Sequence, residues 1–227
     1  MVQKVDWDTD FFGYNVGRIS LNEEDEFDFE NFELYINGFK LIYIFSKKPI
    51  VSLTISLAEE KLNFKKKLDH KVLNKTNPVY FNPLIHSQKE LFELALISGT
   101  FSRYKLDENF SNQEFLKLYE KWIDNSINNN SKTKIIIYLI NDKIVGFTIF
   151  SLKDSNVNIE LIAVNGDFRG RGVGTELIKQ VEEIAKNFKC ETIDVNTQGI
   201  NNSSIRLYEK NNFLCINKTY IYHYWKQ

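Results

Sequence analysis

The residues whose types and spacing could do chemistry lie in one stretch, LIAVNGDFRGRGVGTELI, residues 161–178. An apolar run ends at Val164, a turn rich in glycine and arginine follows, and an amphipathic pattern begins at about Gly172. A strand, a tight turn and a helix in that order aim backbone N–H groups outward at the helix N-terminus, where the helix dipole also favours an anion. Gly170, Gly172 and Gly174 carry no Cβ to block a diphosphate, and Arg169 and Arg171 add charge and fork-shaped donors. This is a pyrophosphate cradle. A Walker loop needs a Gly-Lys-Ser/Thr ending, absent here, and a dinucleotide fingerprint needs a glycine where this chain has Thr175. A glycine-rich turn with incidental arginines is the bland reading of the same residues.

A second segment, NNSSIRLYEKNNF, follows at residues 201–213. With the pattern Arg169-x-x-Gly172-x-Gly174, it resembles the GNAT superfamily of N-acetyltransferases, whose signature reads Asn-x-x-Ala-x-x-Leu-Tyr-Glu-Lys-x-Gly-Phe. Ser204 stands at the usual alanine and Asn212 at the usual glycine; asparagine can take the left-handed conformation that glycine supplies at a helix end. The resemblance implies acetyl-CoA as co-substrate, held by Arg169, Gly170, Arg171, Gly172, Val173, Gly174 and Thr175, by the strand Leu161, Ile162, Ala163 and Val164, and by Asn201. It also implies Tyr208 as the general acid that protonates the departing thiolate. Phenol and thiol pKa values of about 10 and 8.5 are close enough for transfer in a dry site; a packed helix aromatic is the alternative for Tyr208. A backbone N–H on Leu161 to Val164 would polarise the thioester carbonyl. Neither a covalent enzyme intermediate nor a metal is implied.

Four further segments, WDTDFFG (7–13), SGTFSRYKLD (98–107), VNTQGIN (195–201) and YIYHYW (220–225), occur in an order similar to that of the TDP-fucosamine acetyltransferase family of bacterial surface-polysaccharide pathways. That resemblance spans nearly the whole chain and is weakest over residues 20–85. It implies N-acetylation of a nucleotide-linked 4-amino-4,6-dideoxyhexose, with dTDP the favoured carrier. Ser102, Arg103 and Tyr104 would line the acceptor side, Arg103 pairing with the diphosphate and Tyr104 stacking on a base or sugar; a structural ion pair is the other reading of Arg103. Thr197 and Gln198 would sit where the sheet splays to admit substrate. Glu59, in LAEEKLNFKK (57–66), is the implied base, or a surface residue; Glu160 is the rival base. Other acceptors that the superfamily allows are a protein N-terminus, an amino acid or a polyamine, and a non-catalytic CoA-binding sensor is the reading from another class.

The elements that must position these residues follow from periodicity. Strands are expected over 15–21, 41–46, two short ones within 50–66, 79–81, 134–140, 143–151, 157–164, 191–196 and two more over 213–226; helices over 23–36, 88–98, from Ser111 (a capping box with Glu114), 175–188 and 202–211. Breaks are expected around residues 74–78 and 128–130, and the basic run Lys65 to Lys67 reads as a solvated edge. The fold class expected is α/β (α+β), a GNAT fold with a mixed central sheet flanked by helices. A small N-terminal α/β domain (1–77) would contribute to the acceptor site, and the acetyltransferase domain would occupy 78–227.

Composition bounds the function. In 227 residues, 43% hydrophobic and 14% aromatic content can build a real core. Lysine and arginine (29) nearly cancel aspartate and glutamate (30), which argues against a nucleic-acid partner. No apolar run is long enough for membrane insertion, and MVQKVDWDTD lacks the apolar stretch of a signal peptide. Cys190 and Cys215 match no metal spacing and read as free, partly buried thiols in a reducing cytoplasm. The aromatic strand Tyr220 to Trp225 would suit a homodimer interface.

Overall fold

The computed structural model describes residues 2–52, 54–70, 76–128 and 133–226. Ten strands form one mixed sheet: β1 (Gln3–Lys4), β2 (Val16–Leu21), β3 (Leu41–Ser46), β4 (Ser56–Lys67), β5 (Val79–Tyr80), β6 (Thr133–Ile140), β7 (Lys143–Lys153), β8 (Asn156–Val164), β9 (Thr192–Gln198) and β10 (Leu214–Trp225), in the order β1-β2-β3-β10-β4-β9-β8-β7-β6-β5. The pairs β2–β3 and β8–β9 are parallel and the others antiparallel. The helices are α1 (Asp6–Phe12), α2 (Phe29–Tyr35), α3 (Gln88–Ser98), α4 (Arg103–Leu106), α5 (Asn112–Asn128), α6 (Val173–Asn187) and α7 (Asn202–Lys210). No described helix is long and apolar enough to cross a membrane.

Local sequence explains the elements that frame the site. Ser111 and Glu114 close the expected capping box: Ser111 Oγ accepts from the Glu114 N–H at 3.1 Å, and Glu114 Oε2 accepts from the Ser111 N–H at 2.6 Å. Asn141 and Asp142 take φ of 49° and 62°, the left-handed pair that a two-residue hairpin turn requires between β6 and β7. Helix α6 buries Leu177, Ile178, Val181, Ile184 and Ala185, the expected stripe, against residues of β4, β8 and β9. Helices α3 and α5 pack Leu91, Leu94, Phe115 and Tyr119 on Ile135, Phe147, Ile149 and Leu161.

The first third of the chain departs most from expectation. Residues 7–12 are helical, ended by Gly13 at φ 75°, and one strand begins at Ser56 where two short ones were expected within 50–66. The basic run Lys65 to Lys67 is not a solvated edge. It lies inside the sheet, paired with Asp194, Ile193 and Thr192 of β9, and Lys66 is ion-paired with the buried Glu182. The final two strands are likewise one. Irregularities at Cys215/Asn217 and Ile221/Tyr222 let β10 keep pairing with β4 along its length.

That strand fills the slot between β3 and β4, so the sheet runs unbroken across residue 77. Tyr220 to Trp225 pair with Ser46 to Leu41, and Ile221, Tyr222 and His223 are buried, so this segment offers no free edge to a second copy. Cys190 is buried but Cys215 is exposed. The expected breaks near Asn74 and after Asn128 fall partly outside the described residues.

Candidate active site

The site opens where two parallel strands part. Pairing of β8 with β9 stops at Ile159 and Val195. On the other side of β8, Ile149 pairs with Leu161 and Phe150 with Ile159, which leaves Glu160 as the extra residue of a bulge. A bulge bends its strand, and here it carries Glu160 to Val164 away from Asn196 to Gln198.

A cleft of about 570 Å³ lies on one side of the parting, with Ile162, Ala163 and Val164 on its floor and the loop to Thr175 at its rim. Asn165 caps a short 3-10 turn, Gly166–Phe168, by accepting from the Asp167 N–H at 3.0 Å. Arg169 Nε then donates to the Val164 carbonyl at 3.2 Å, which anchors the guanidinium beside the strand end. Gly170 and Gly172 take φ of 74° and 86°, and Gly172 is the N-cap of α6 with no side-chain cap. The first N–H groups of α6 are thus left to the cleft. Gly174 lines the cleft and has a packing role as well: a Cβ there would lie 3.1 Å from Leu207, so the glycine admits α7 against α6. Arg171 is exposed, lies over the Phe168 ring at 5.3 Å and does not line the cleft.

On the other side is a second cleft, of about 740 Å³, which Glu59, Ser102, Arg103, Tyr104, Glu160, Leu161, Thr197, Gln198 and Tyr208 all help to line. Ile162, Asn201 and Ser204 line both clefts. Asn201 Oδ1 caps α7 by accepting from the Ser204 N–H at 3.2 Å, which holds the start of that helix at the junction.

Tyr208 is buried between Phe64 and Phe213, with ring centroids 5.5 and 5.8 Å away. Burial pushes its hydroxyl well above the usual phenol value, against a hydrogen bond with Ser204. The phenol therefore stays protonated and available as a donor. The margin over a thiol exceeds the one expected from solution values, although a desolvated thiolate would also hold its proton more tightly.

Strand periodicity puts Glu59, Lys61 and Asn63 of β4 on the cleft face and Leu62 and Phe64 in the core behind. Burial pushes the Glu59 carboxyl above its ordinary value, opposed by the nearby charges of Arg103 and Lys61 and by the Arg103 backbone N–H that it accepts from. A carboxylate so raised is a stronger base.

Arg103 stacks on Tyr43 at 4.2 Å and Tyr104 at 4.8 Å, and its Nη2 donates to the Tyr104 hydroxyl at 2.7 Å. Its Nη1 is buried with no hydrogen-bond partner, and it makes no salt bridge among the described residues. A purely structural ion pair does not describe it. The Tyr104 ring packs on Phe12 and Phe110, so it props Arg103 and is not a free stacking platform. Ser102 is spent on capping α4, accepting from the Tyr104 N–H at 3.1 Å.

Sequence reasoning missed a cluster behind Arg103. Asp107 Oδ2 accepts from His223 Nδ1 at 2.6 Å and Trp225 Nε1 at 2.9 Å. Burial lowers His223 to about 4, with Arg103 adding to the shift and Asp107 opposing it, so the imidazole is neutral and donates from Nδ1. Burial alone would raise Asp107, but hydrogen bonds from His223, Trp225 and Asn109 hold it well below the usual carboxylate range. The signal was present in the segments themselves: Asp107 ends SGTFSRYKLD, His223 and Trp225 lie in YIYHYW, and Phe12 of WDTDFFG packs on Phe110, which packs on Trp225. Three of the four segments meet here.

The acetyltransferase (GNAT) family model matches residues 97–213, which takes in the end of α3, all of α5, the bulged β8, the loop and α7. The chain belongs to the GNAT acetyltransferase family. Among curated relatives, "Spore coat polysaccharide biosynthesis protein SpsD" of Bacillus subtilis is 29% identical over 133 residues, 59% of this chain and 46% of that protein. Streptothricin acetyltransferase A of the same organism is 33% identical over 109 residues, 48% of this chain and 63% of that one. The match thus spans less than two thirds of either relative. The GNAT fold is shared with a conserved protein of unknown function from Staphylococcus epidermidis (TM-score 0.60, 8% identity, 86% of this chain and 77% of that one). It is shared too with a GNAT-family protein from Novosphingobium aromaticivorans (TM-score 0.53, 14% identity, 82% and 75%).

Proposed function

We propose that this GNAT acetyltransferase moves the acetyl group of acetyl-CoA onto the amino group of a nucleotide-linked 4-amino-4,6-dideoxyhexose, with dTDP as carrier, for surface-polysaccharide synthesis in the cytoplasm. The observation that carries this reading is the meeting of two clefts at Ile162, Asn201 and Ser204, the second walled partly by residues before 77, Glu59 and Lys61 among them. Acetyl-CoA would take the cleft with the open α6 N-terminus. The larger, polar cleft has room for an acceptor the size of a nucleotide sugar. The name of the SpsD relative supports a polysaccharide pathway. In this reading residues 1–77 form a small domain that contributes to the acceptor site, and residues 78–227 form the acetyltransferase domain.

Attack needs a neutral amine, so Glu59 takes its proton, with Glu160 the rival for that role. An N–H on the parted edge of β8 polarises the thioester carbonyl, and Tyr208 protonates the departing sulfur. Thiol release from acetyl-CoA, measured with dTDP- and UDP-linked 4-amino-4,6-dideoxyhexoses, a free amino sugar, spermidine and an N-terminal peptide, tests the reading. Release with a nucleotide sugar alone supports it and names the carrier. Release with spermidine or peptide and none with the sugars sinks it, and CoA binding without release on any acceptor favours a sensor.

A further inference from the structure

Resting on the nucleotide-sugar reading, we infer that Arg18 of β2 and Lys61 of β4, with Lys47 after β3 and the stacked Arg103, form a second diphosphate subsite, separate from the α6 loop, that holds the acceptor by its diphosphate.

The charge distribution makes the case. The protein as a whole carries a formal net charge of −1, yet the larger cleft is lined by four cations and two carboxylates, Glu59 and Glu160. None of the four cations makes a salt bridge among the described residues. Their partners are neutral: Arg18 Nε donates to Ser20 Oγ at 3.1 Å and lies over the Phe45 ring at 4.2 Å, and Lys47 Nζ reaches Asn217 Oδ1 at 3.0 Å. Lys61 has no hydrogen-bonded acceptor among the described residues. Burial holds its ammonium below the usual lysine value and the positive fields of Arg103 and Arg18 lower it further, while Glu59 opposes them. Cations gathered this closely repel one another until a polyvalent anion arrives. A diphosphate supplies two charges and enough oxygens for forked and point donors together, where a carboxylate supplies one charge. The fold brings the donors together from two strands, the residue after a third and helix α4, with β10 setting the spacing between β3 and β4.

The test is calorimetric titration of inorganic pyrophosphate and of dTDP into protein saturated with coenzyme A, so that the α6 loop is already filled. The comparison is the double variant Arg18→Gln, Lys61→Gln, with its affinity for coenzyme A as the check on folding. We expect one-to-one binding by the wild-type protein and at least ~100-fold weaker binding by the variant, about tenfold for each charge-assisted contact removed. Equal binding by the two proteins, or no binding to the loaded wild type, overturns the subsite. The reading it rests on fails differently: the variant loses diphosphate binding, yet no nucleotide sugar drives thiol release. Release from a nucleotide sugar with an unchanged KM in the variant leaves the reading standing and removes the subsite.

Discussion

At the scale of residues, burial raises both Tyr208 and Glu59, which suits the proposed donor role of the first and the proposed base role of the second. Tyr208 remains a donor, so Tyr208→Phe should lower kcat by ~100-fold or more while leaving the affinity for acetyl-CoA unchanged. The phenylalanine ring keeps the contacts with Phe64 and Phe213, so the melting temperature should hold. An unchanged kcat would remove the phenol from the reaction. As the proposed base, Glu59 acts in its ionised form, so activity should climb as pH rises through a value that burial holds above that of an ordinary glutamate. A pH profile of kcat/KM should lose this acidic limb in Glu59→Gln. If Glu160→Gln removes the limb instead, the base assignment moves to the bulge. The types of these residues were legible in the sequence, but their environments were not. Nothing in LAEEKLNFKK says that Glu59 accepts from the Arg103 backbone 44 positions away, because that contact exists only once β4 and α4 are side by side.

At the scale of elements, the loop before α6 and the strand β10 bear the strain and the burial. Gly172 at φ 86° caps α6, a conformation that costs an L residue roughly 1–2 kcal/mol. Gly172→Ala should therefore lower the melting temperature and weaken coenzyme A binding together, as a thermal melt and a titration would show. In β10, the folded protein holds His223 near pKa 4, whereas the unfolded chain protonates near 6.5. The unfolded state then binds more protons between those values, so stability is complete above pH 6.5 and falls toward pH 4, by at most about 1.4 kcal/mol per unit. Asp107, with its lowered value, adds its loss only below the ordinary carboxylate range. Urea unfolding of His223→Asn between pH 5 and 7 should show a shallower slope than the wild type; an equal slope would assign the pH dependence elsewhere. Elements with a strong period, such as α5 with its capping box and α6 with its apolar stripe, were readable in type and buried face, with ends shifted by one or two residues. Strand β10 was not, since its irregularities break the alternation into what looks like two strands, and Lys65 to Lys67 looked like an edge because the partners that bury them come from β9 and α6.

At the scale of the whole molecule, residues 1–77 and residues 78–227 share one sheet. Strand β4, from the first, is bonded on both sides by strands from the second. A fragment comprising residues 78–227 would expose the facing edges of β9 and β10, so it should be insoluble or associated on size-exclusion chromatography. A monodisperse, CoA-binding fragment would mean that the later half folds alone. The sequence announced the later half through its motifs but left the earlier one loosely defined, because the strands of residues 1–77 acquire their partners only from distant parts of the chain.

The position of β10 also bears on biosynthesis. Every other described strand leaves the ribosome before it, yet the slot it fills lies between two of the earliest. Until translation passes residue 214, the nascent chain holds β3 and β4 apart, each with an unbonded edge, beside sibling chains on the same polysome. Non-local pairing of this kind is slow to form. Yield in a recombinant host should thus respond to chaperone supply and growth temperature more strongly than the stability of the purified enzyme would suggest, and a premature stop at residue 214, which removes β10, should release an aggregating chain rather than a slightly shortened enzyme.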